Sequence, residues 1–220
     1  MKTLIYITLI TFLFVGCKQK EKTEPTEPEI VKTEVSTAQK IANAHGYENW
    51  KHVSEIAFTF AGNRNWIWKP KTNEVTLLGK TDTINYNRKK VDSLTTKTDG
   101  AFVNDKFWLL IPFQLVWDKS ATISEPIVTE APVSKTQLNK ITVTYPNEGG
   151  YTPGDAYDIF YDDDFCIKEW TFRRGNQEEP SLSTTFENYQ DFNSIKIALE
   201  HKNAAGDWNL VFNDVKVTLE

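Results

Sequence analysis

The residues that could do chemistry are few. Asp162, Asp163 and Asp164 stand together, with Asp155 and Asp158 just upstream. Hard oxygen ligands suit calcium, which takes about six to eight of them, but the spacing here is not that of an EF-hand loop. The cluster falls where a hairpin would turn, and an Asp-rich tip there reads as a solvated turn. His45, His52 and His201 form no close His-x-x-x-His pair, so they give no zinc site. No Gly-x-Ser-x-Gly turn, Walker loop or dinucleotide fingerprint is present, and Ser181 and Ser183 lie in ordinary strand context. Glu169 and Arg173 share one face of a strand, opposite Trp170 and Phe172, where outward cross-strand ion pairs are expected. Arg173 or Arg174 has a second reading, as the partner of an anionic headgroup. The loop 145–157, with three glycines, two prolines and three tyrosines, is long enough to carry function. No catalytic centre and no cofactor is expected, and the chain reads as non-enzymatic.

Chemistry of another kind is written at the N-terminus. Met1-Lys2 gives a positive start. Leu4 to Val15 is apolar but too short to cross a bilayer, which takes about 20 residues. Small Gly16 then precedes Cys17. That order is a secretory signal peptide. "FVGC" resembles the bacterial lipobox, which implies cleavage after Gly16 and a lipid on Cys17. Residues 1–16 are therefore expected to be a lipoprotein signal peptide and 17–36 the lipidated Cys17 with a flexible tether. Residues 37–220 are expected to form a single domain. The tether is rich in Lys, Glu, Thr and Pro, which bury too little apolar surface to order themselves. Lys18, in place of the aspartate that retains lipoproteins in the inner membrane, favours the outer membrane, on its periplasmic face or at the cell surface. With Cys17 lipidated, Cys166 has no disulfide partner and reads as a small buried hydrophobe. A net charge of −5 and the lack of any basic block argue against nucleic acid.

The elements follow from periodicity. "STAQKIANAHG" gives a helix over Ala38 to His45, capped by Ser36 or Thr37 and ended by Gly46. The period then becomes two. Ile56, Phe58 and Phe60 share one face, as do Trp66 and Trp68, and later Ile141, Val143 and Tyr145. "DAYDIFYDDDFCIKEWTFRRG" is a hairpin with an acidic tip. About eleven strands with short connections predict a curved antiparallel meander: mainly β with a few helices, α+β in class. "FWLLIPFQLVW", residues 107–117, interrupts it. Pro112 and its length exclude a membrane span, and Pro112 argues against a central strand. Asn104-Asp105 reads as an N-cap, giving a short helix broken near Pro112 and then an extended piece to Trp117. The segment is expected either to be plain buried core or to act as a lid over a concave aromatic face.

The phrases "AHGYENW" (44–50), "WIWKPKTNEV" (66–75), "FVNDKFWLLIPFQLVWD" (102–118), "TYPNEGGYTPGDAYDIFYDDDF" (144–165), "IKEWTFRRGN" (167–176) and "DFNSIKIALEHKN" (191–203) resemble an uncharacterised family of Bacteroidetes lipoproteins with a LolA/LolB-like fold. The resemblance implies a half-barrel with helical lid segments in its mouth, whose cavity accepts acyl chains. On it rests the expectation of a membrane-anchored protein binding an acyl or other hydrophobic ligand. Phe58, Phe60, Trp66, Trp68, Trp108, Leu110, Phe113 and Tyr151 are its candidate ligand-binding residues. The alternative is an envelope glycan- or protein-binding module with a filled core, acting through exposed aromatics and the 145–157 loop.

Overall fold

Gly46 shows how closely the local chemistry sets the chain path. Helix α1 (Thr37–Ala44) starts at Ser36, whose hydroxyl accepts the Gln39 N–H. It ends where Gly46 turns left-handed, at φ 90°, against the backbone of Ser194. A side chain there would strike that carbonyl, so only glycine fits. These features belong to the computed structural model, which describes residues 35–220. The expected signal peptide, Cys17 and nearly all of the tether lie outside the described residues.

A 3₁₀ turn over Tyr47–His52 leads from α1 into four consecutive antiparallel strands: β1 (Val53–Phe60), β2 (Arg64–Lys69), β3 (Glu74–Leu78) and β4 (Thr83–Asn87). Helix α2 (Thr96–Trp117) follows. Then come β5 (Thr122–Ile123), β6 (Ile127–Glu130), β7 (Gln137–Thr144), β8 (Ala156–Tyr161) and β9 (Ile167–Arg173). The last four are β10 (Leu182–Thr185), β11 (Glu187–Phe192), β12 (Ile195–Lys202) and β13 (Asn209–Leu219). They form two antiparallel sheets, one of seven strands in the order β11-β12-β13-β1-β2-β3-β4 and one of six. The six-stranded sheet runs β10-β9-β8-β7-β5, with β6 also on β7. The molecule is thus mainly β with few helices; the described residues form thirteen strands in two sheets, not the expected single meander of about eleven, and they do not close into a barrel.

The sheets meet at residues 182–192. Leu182–Thr185 pairs with β9, and past Phe186 the same run of chain pairs with β12 as β11. The Phe186 N–H still reaches the Lys168 carbonyl at 2.7 Å, and the Tyr189 hydroxyl donates to the Ile167 carbonyl at 2.7 Å. One bent stretch therefore belongs to both sheets. In β13, Asp214 sits at positive φ where the register against β1 slips, a bulge that bends this strand too.

Helix α2 packs on both sheets. Phe102 meets the Trp66 and Trp68 rings of β2 edge-on, while Phe107 and Trp108 meet Trp170 of β9. It is buried on most sides over its last twelve residues, so it lacks the apolar stripe of a surface helix. Its extent differs from the sequence expectation. The helix begins at Thr96, eight residues before Asn104, because Asp92 accepts the N–H groups of Leu94 and Thr95 and anchors the first turn. Asp105 caps nothing. Its carboxylate is turned onto Arg64 and Trp66. Pro112 kinks the helix without ending it. Leu110 leaves helical geometry at φ −124°, ψ 28°, and the helix resumes to Trp117.

Candidate functional site

The candidate site is a cavity of about 340 Å³ between the first half of α2, the loop after β7, and the outer ends of β8 and β9. Gly100, Val103, Asn104, Phe107 and Trp108 form its helix wall. Tyr157 from β8 and Trp170 and Phe172 from β9 form its sheet wall, with Tyr151 and Thr152 from the loop. Period two places Trp170 and Phe172 on one face of β9, and register sets Tyr157 opposite Phe172. The rings interlock. Tyr157 stacks on Phe172 at 5.2 Å and lies 5.2 Å from Trp170, and Trp108 stands edge-on to Trp170 at 4.4 Å. The size is at the lower end of the usual ligand-site range of about 300–1,000 Å³.

Gly100 keeps the helix wall low. A Cβ built there meets nothing within 4 Å, so the position faces open space. Glycine inside a helix costs up to about 1 kcal/mol against alanine. Polar groups border the rings. Asp155 accepts the Gly175 N–H at 2.8 Å, and Arg174 contributes an exposed side chain. Burial raises the Tyr157 hydroxyl well above the usual phenol range, so it stays neutral. Trp170 is 1% exposed and its indole N–H has no hydrogen-bond partner among the described residues.

Of the residues singled out from sequence, Trp108 and Tyr151 line this cavity. Phe58, Phe60, Trp66, Trp68, Leu110 and Phe113 do not; they pack into the core. Phe58 and Phe60 both meet Phe212, and Phe113 packs among Tyr47, Trp50 and Trp117. Trp66 donates its indole N–H to buried Asp105 at 2.8 Å, and Arg64 grips the same carboxylate at 2.5 and 2.6 Å. Cys17 lies outside the described residues.

One other expectation changes. Glu169 does not face outward; it is 2% exposed, and its carboxylate accepts the N–H groups of Val133 and Ser134 at 2.7 and 2.9 Å. It pins the turn between β6 and β7 instead of joining an ion pair. Arg173 is held by Asp158 at 3.0 Å, which leaves Arg174 as the arginine at the cavity. The acidic tip is a built turn in which Asp162 accepts the N–H groups of Asp164 and Cys166 and pairs with Lys168 at 3.0 Å. Among the described residues, no group of three His, Cys, Asp or Glu side chains is arranged to hold a metal ion.

Two histidines and a lysine are buried. His45 takes the Ile41 carbonyl at 2.8 Å and lies 3.9 Å from the Cys166 sulfur, and burial pushes it down to about 4. His201 is likewise pushed down to about 4 by burial. Lys106, on α2, carries no motif that marks it in the sequence. It is 1% exposed and makes no ion pair among the described residues. Its amine donates to the Gln114 side-chain oxygen at 2.8 Å and the Tyr151 hydroxyl at 3.0 Å. The rings of Tyr151, Trp117 and Trp68 surround it at 4.3, 5.3 and 5.4 Å. Burial lowers its pKa to about 7, Arg88 pushes the same way, and Asp99 and Asp118 oppose. In the sequence it stands beside Asn104 and Asp105 at the edge of the apolar run, where a lysine reads as solvated.

No protein-family model matches this sequence, and no curated protein matches it. Among solved structures, a DUF1329 family protein from Desulfovibrio piger ATCC 29098 is similar at 7% identity, over 82% of this chain and 91% of that chain, with a TM-score of 0.39. A likeness of that degree is too slight to assign a fold family or an activity.

Proposed function

We propose that the protein is a non-enzymatic binding module that takes a hydrophobic or amphipathic ligand, an acyl chain included, in the cavity beside α2. The observation that carries this is the cavity itself: aromatic walls, a glycine where the helix faces it, and no partner for the indole N–H of a wall tryptophan. Rigid rings supply apolar area, at about 25 cal/mol per Å² buried, with little loss of side-chain freedom. The bent stretch shared by the two sheets supports a half-barrel reading with α2 as its lid. On that reading the sequence resemblance to LolA/LolB-like lipoproteins extends to architecture. The lipobox at Cys17 supports anchoring to the outer membrane, with residues 37–220 as the binding domain.

A second reading has one observation in its favour. Asn104, Asp155 and Arg174 rim the aromatic walls, and flat rings edged by hydrogen-bonding groups also suit a sugar. One experiment decides between them. The full chain is purified from membranes, extracted with organic solvent and with water, and both extracts are analysed by mass spectrometry beside those from the Gly100→Leu variant. An amphiphile retained by the wild type and absent from the variant is the expected result. A saccharide lost in the same way would favour the second reading. Identical extracts from the two proteins would overturn both.

A further inference from the structure

Beyond the cavity wall lies a group that its reading leaves unused. Tyr151 lines the cavity, and its hydroxyl is 3.0 Å from the buried Lys106 amine. Behind it lie unpaired buried N–H donors. The ammonium has three N–H bonds and two oxygen partners. Because the Gln114 oxygen faces Lys106, its amide nitrogen points elsewhere, and that nitrogen is buried without a partner. The Trp68 indole N–H, on a ring 5.4 Å from the amine, is also buried without one. A buried donor left unpaired is destabilising. Unpaired amide and indole N–H donors near a cation with no ion pair form a setting that an oxyanion would complete.

We propose that Lys106, Gln114 and Trp68 form an anion subsite behind Tyr151, and that the cavity's ligand is an amphiphile whose carboxylate docks there. This rests on the proposed reading of the cavity as a ligand site. Tyr151 is the gate: among the residues touching the Lys106 amine, it alone lines the cavity. Its loop carries Gly149, Gly150 and Gly154 at positive φ, around the very residue that must turn aside. The carboxylate replaces the Tyr151 hydroxyl on Lys106 and accepts from the Gln114 amide or the Trp68 indole. Its alkyl part runs out along Phe107 toward Trp108 and Trp170.

The charged and titratable groups around Lys106 set the pH dependence. Arg88, after β4, is held by Asp99 of α2 at 2.7 Å, so these two largely cancel. Asp118 ends α2; one of its oxygens holds Ser120, and the other is buried without a hydrogen-bond partner and favours the ammonium. Tyr145, on the loop side, is kept neutral by burial. Lys106 is then the group that changes charge near neutrality. Binding a carboxylate favours the ammonium, so the complex takes up a proton when formed above about pH 7.

The test compares dodecanoate with dodecanol on the full chain by titration calorimetry, in buffers of different ionisation enthalpy, from about pH 6 to about pH 9. Dodecanoate is expected to bind with proton uptake and to weaken by up to about tenfold per pH unit above neutrality. Dodecanol is expected to bind with no such slope. Lys106→Met is expected to weaken dodecanoate by about tenfold or more and to flatten its pH profile, leaving dodecanol unchanged. Gln114→Glu, which sets a carboxylate on Lys106, is expected to do the same while keeping the site filled. Where either variant fails to fold by near-ultraviolet circular dichroism, the wild-type comparison of the two ligands still decides. Both ligands binding with flat pH profiles, or dodecanoate affinity unchanged in Lys106→Met, would overturn the subsite and leave the cavity reading standing. Neither ligand binding would sink the cavity reading and the subsite together.

Discussion

Asp105 is the buried charge on which α2 is hung, and removing it should cost more than any surface change. Its carboxylate is 0% exposed and accepts from Arg64 twice, from the Trp66 indole, and from the Asn104 amide. In Asp105→Ala, the Trp66 N–H is left buried and unpaired, at about 1–3 kcal/mol. The paired Arg64 is about a third exposed, at 35%, so its guanidinium rehydrates and the ion-pair share shrinks to about 1–2 kcal/mol. Together these give about 2–5 kcal/mol, or on the order of 10 °C in Tm for a chain of this size. Asp105→Asn keeps an oxygen for Trp66 and should lose about 1–2 kcal/mol. The assay is urea unfolding of the full chain followed by tryptophan fluorescence. Arg64→Ala added to Asp105→Ala should cost little more, since the pair is already broken. A loss under about 1 kcal/mol for Asp105→Ala, or an Asn variant as damaged as the Ala variant, would refute the reasoning.

Acid should destabilise the fold through its buried histidines. His45 and His201 titrate near 4 when folded and near 6.5 when unfolded, so the unfolded chain binds more protons between those values. Stability should therefore fall as pH drops from about 6.5 to about 4, by up to about 1.4 kcal/mol per unit for each histidine, and His201→Phe should reduce that slope in pH-dependent urea melts. The Lys106 amine is depressed in the same sense, from 10.5 to about 7, so stability should rise as pH increases between those values and Lys106→Met should flatten that rise. Glu169→Gln should free one of the two N–H groups it holds, costing about 1–3 kcal/mol, and hydrogen exchange should quicken at Val133 and Ser134.

Much of the sheet was legible because its residues alternate. Ile56, Phe58 and Phe60 are all buried, as are Trp66 and Trp68, and the acidic-tipped hairpin is β8 and β9. Ser36 and Gly46 bound α1 as their side-chain chemistry predicts. Helix α2 was half legible. Its start, Thr96 to Gly100, is poor in helix formers, so local propensity gave no sign that it continues a buried helix. Its buried half has no periodic stripe to say which face meets what. Asp105 reads as a cap from its neighbours alone, whereas Arg64, distant in sequence, decides its role. The bend at Phe186 was hidden because "LSTTFENY" holds no Gly or Pro to mark a break. Trp108 and Tyr151 could be named from the lid and the loop, but the cavity's sheet wall of Tyr157, Trp170 and Phe172 depends on which sheet the helix leans toward. Periodicity cannot carry that information.

The central claim is that the hollow beside α2 is a ligand site. Gly100→Leu probes it directly, because a Cβ there meets no protein atom within 4 Å and the exchange favours the helix by up to about 1 kcal/mol. The measurement is titration of the full chain and of this variant with an apolar fluorescent fatty-acid probe, read by quenching of tryptophan emission from Trp108 and Trp170. Saturable one-to-one binding to the wild type, lost in a variant that melts at the same temperature or higher, is the result expected. Equal binding by both proteins, or none by the wild type, would contradict the account.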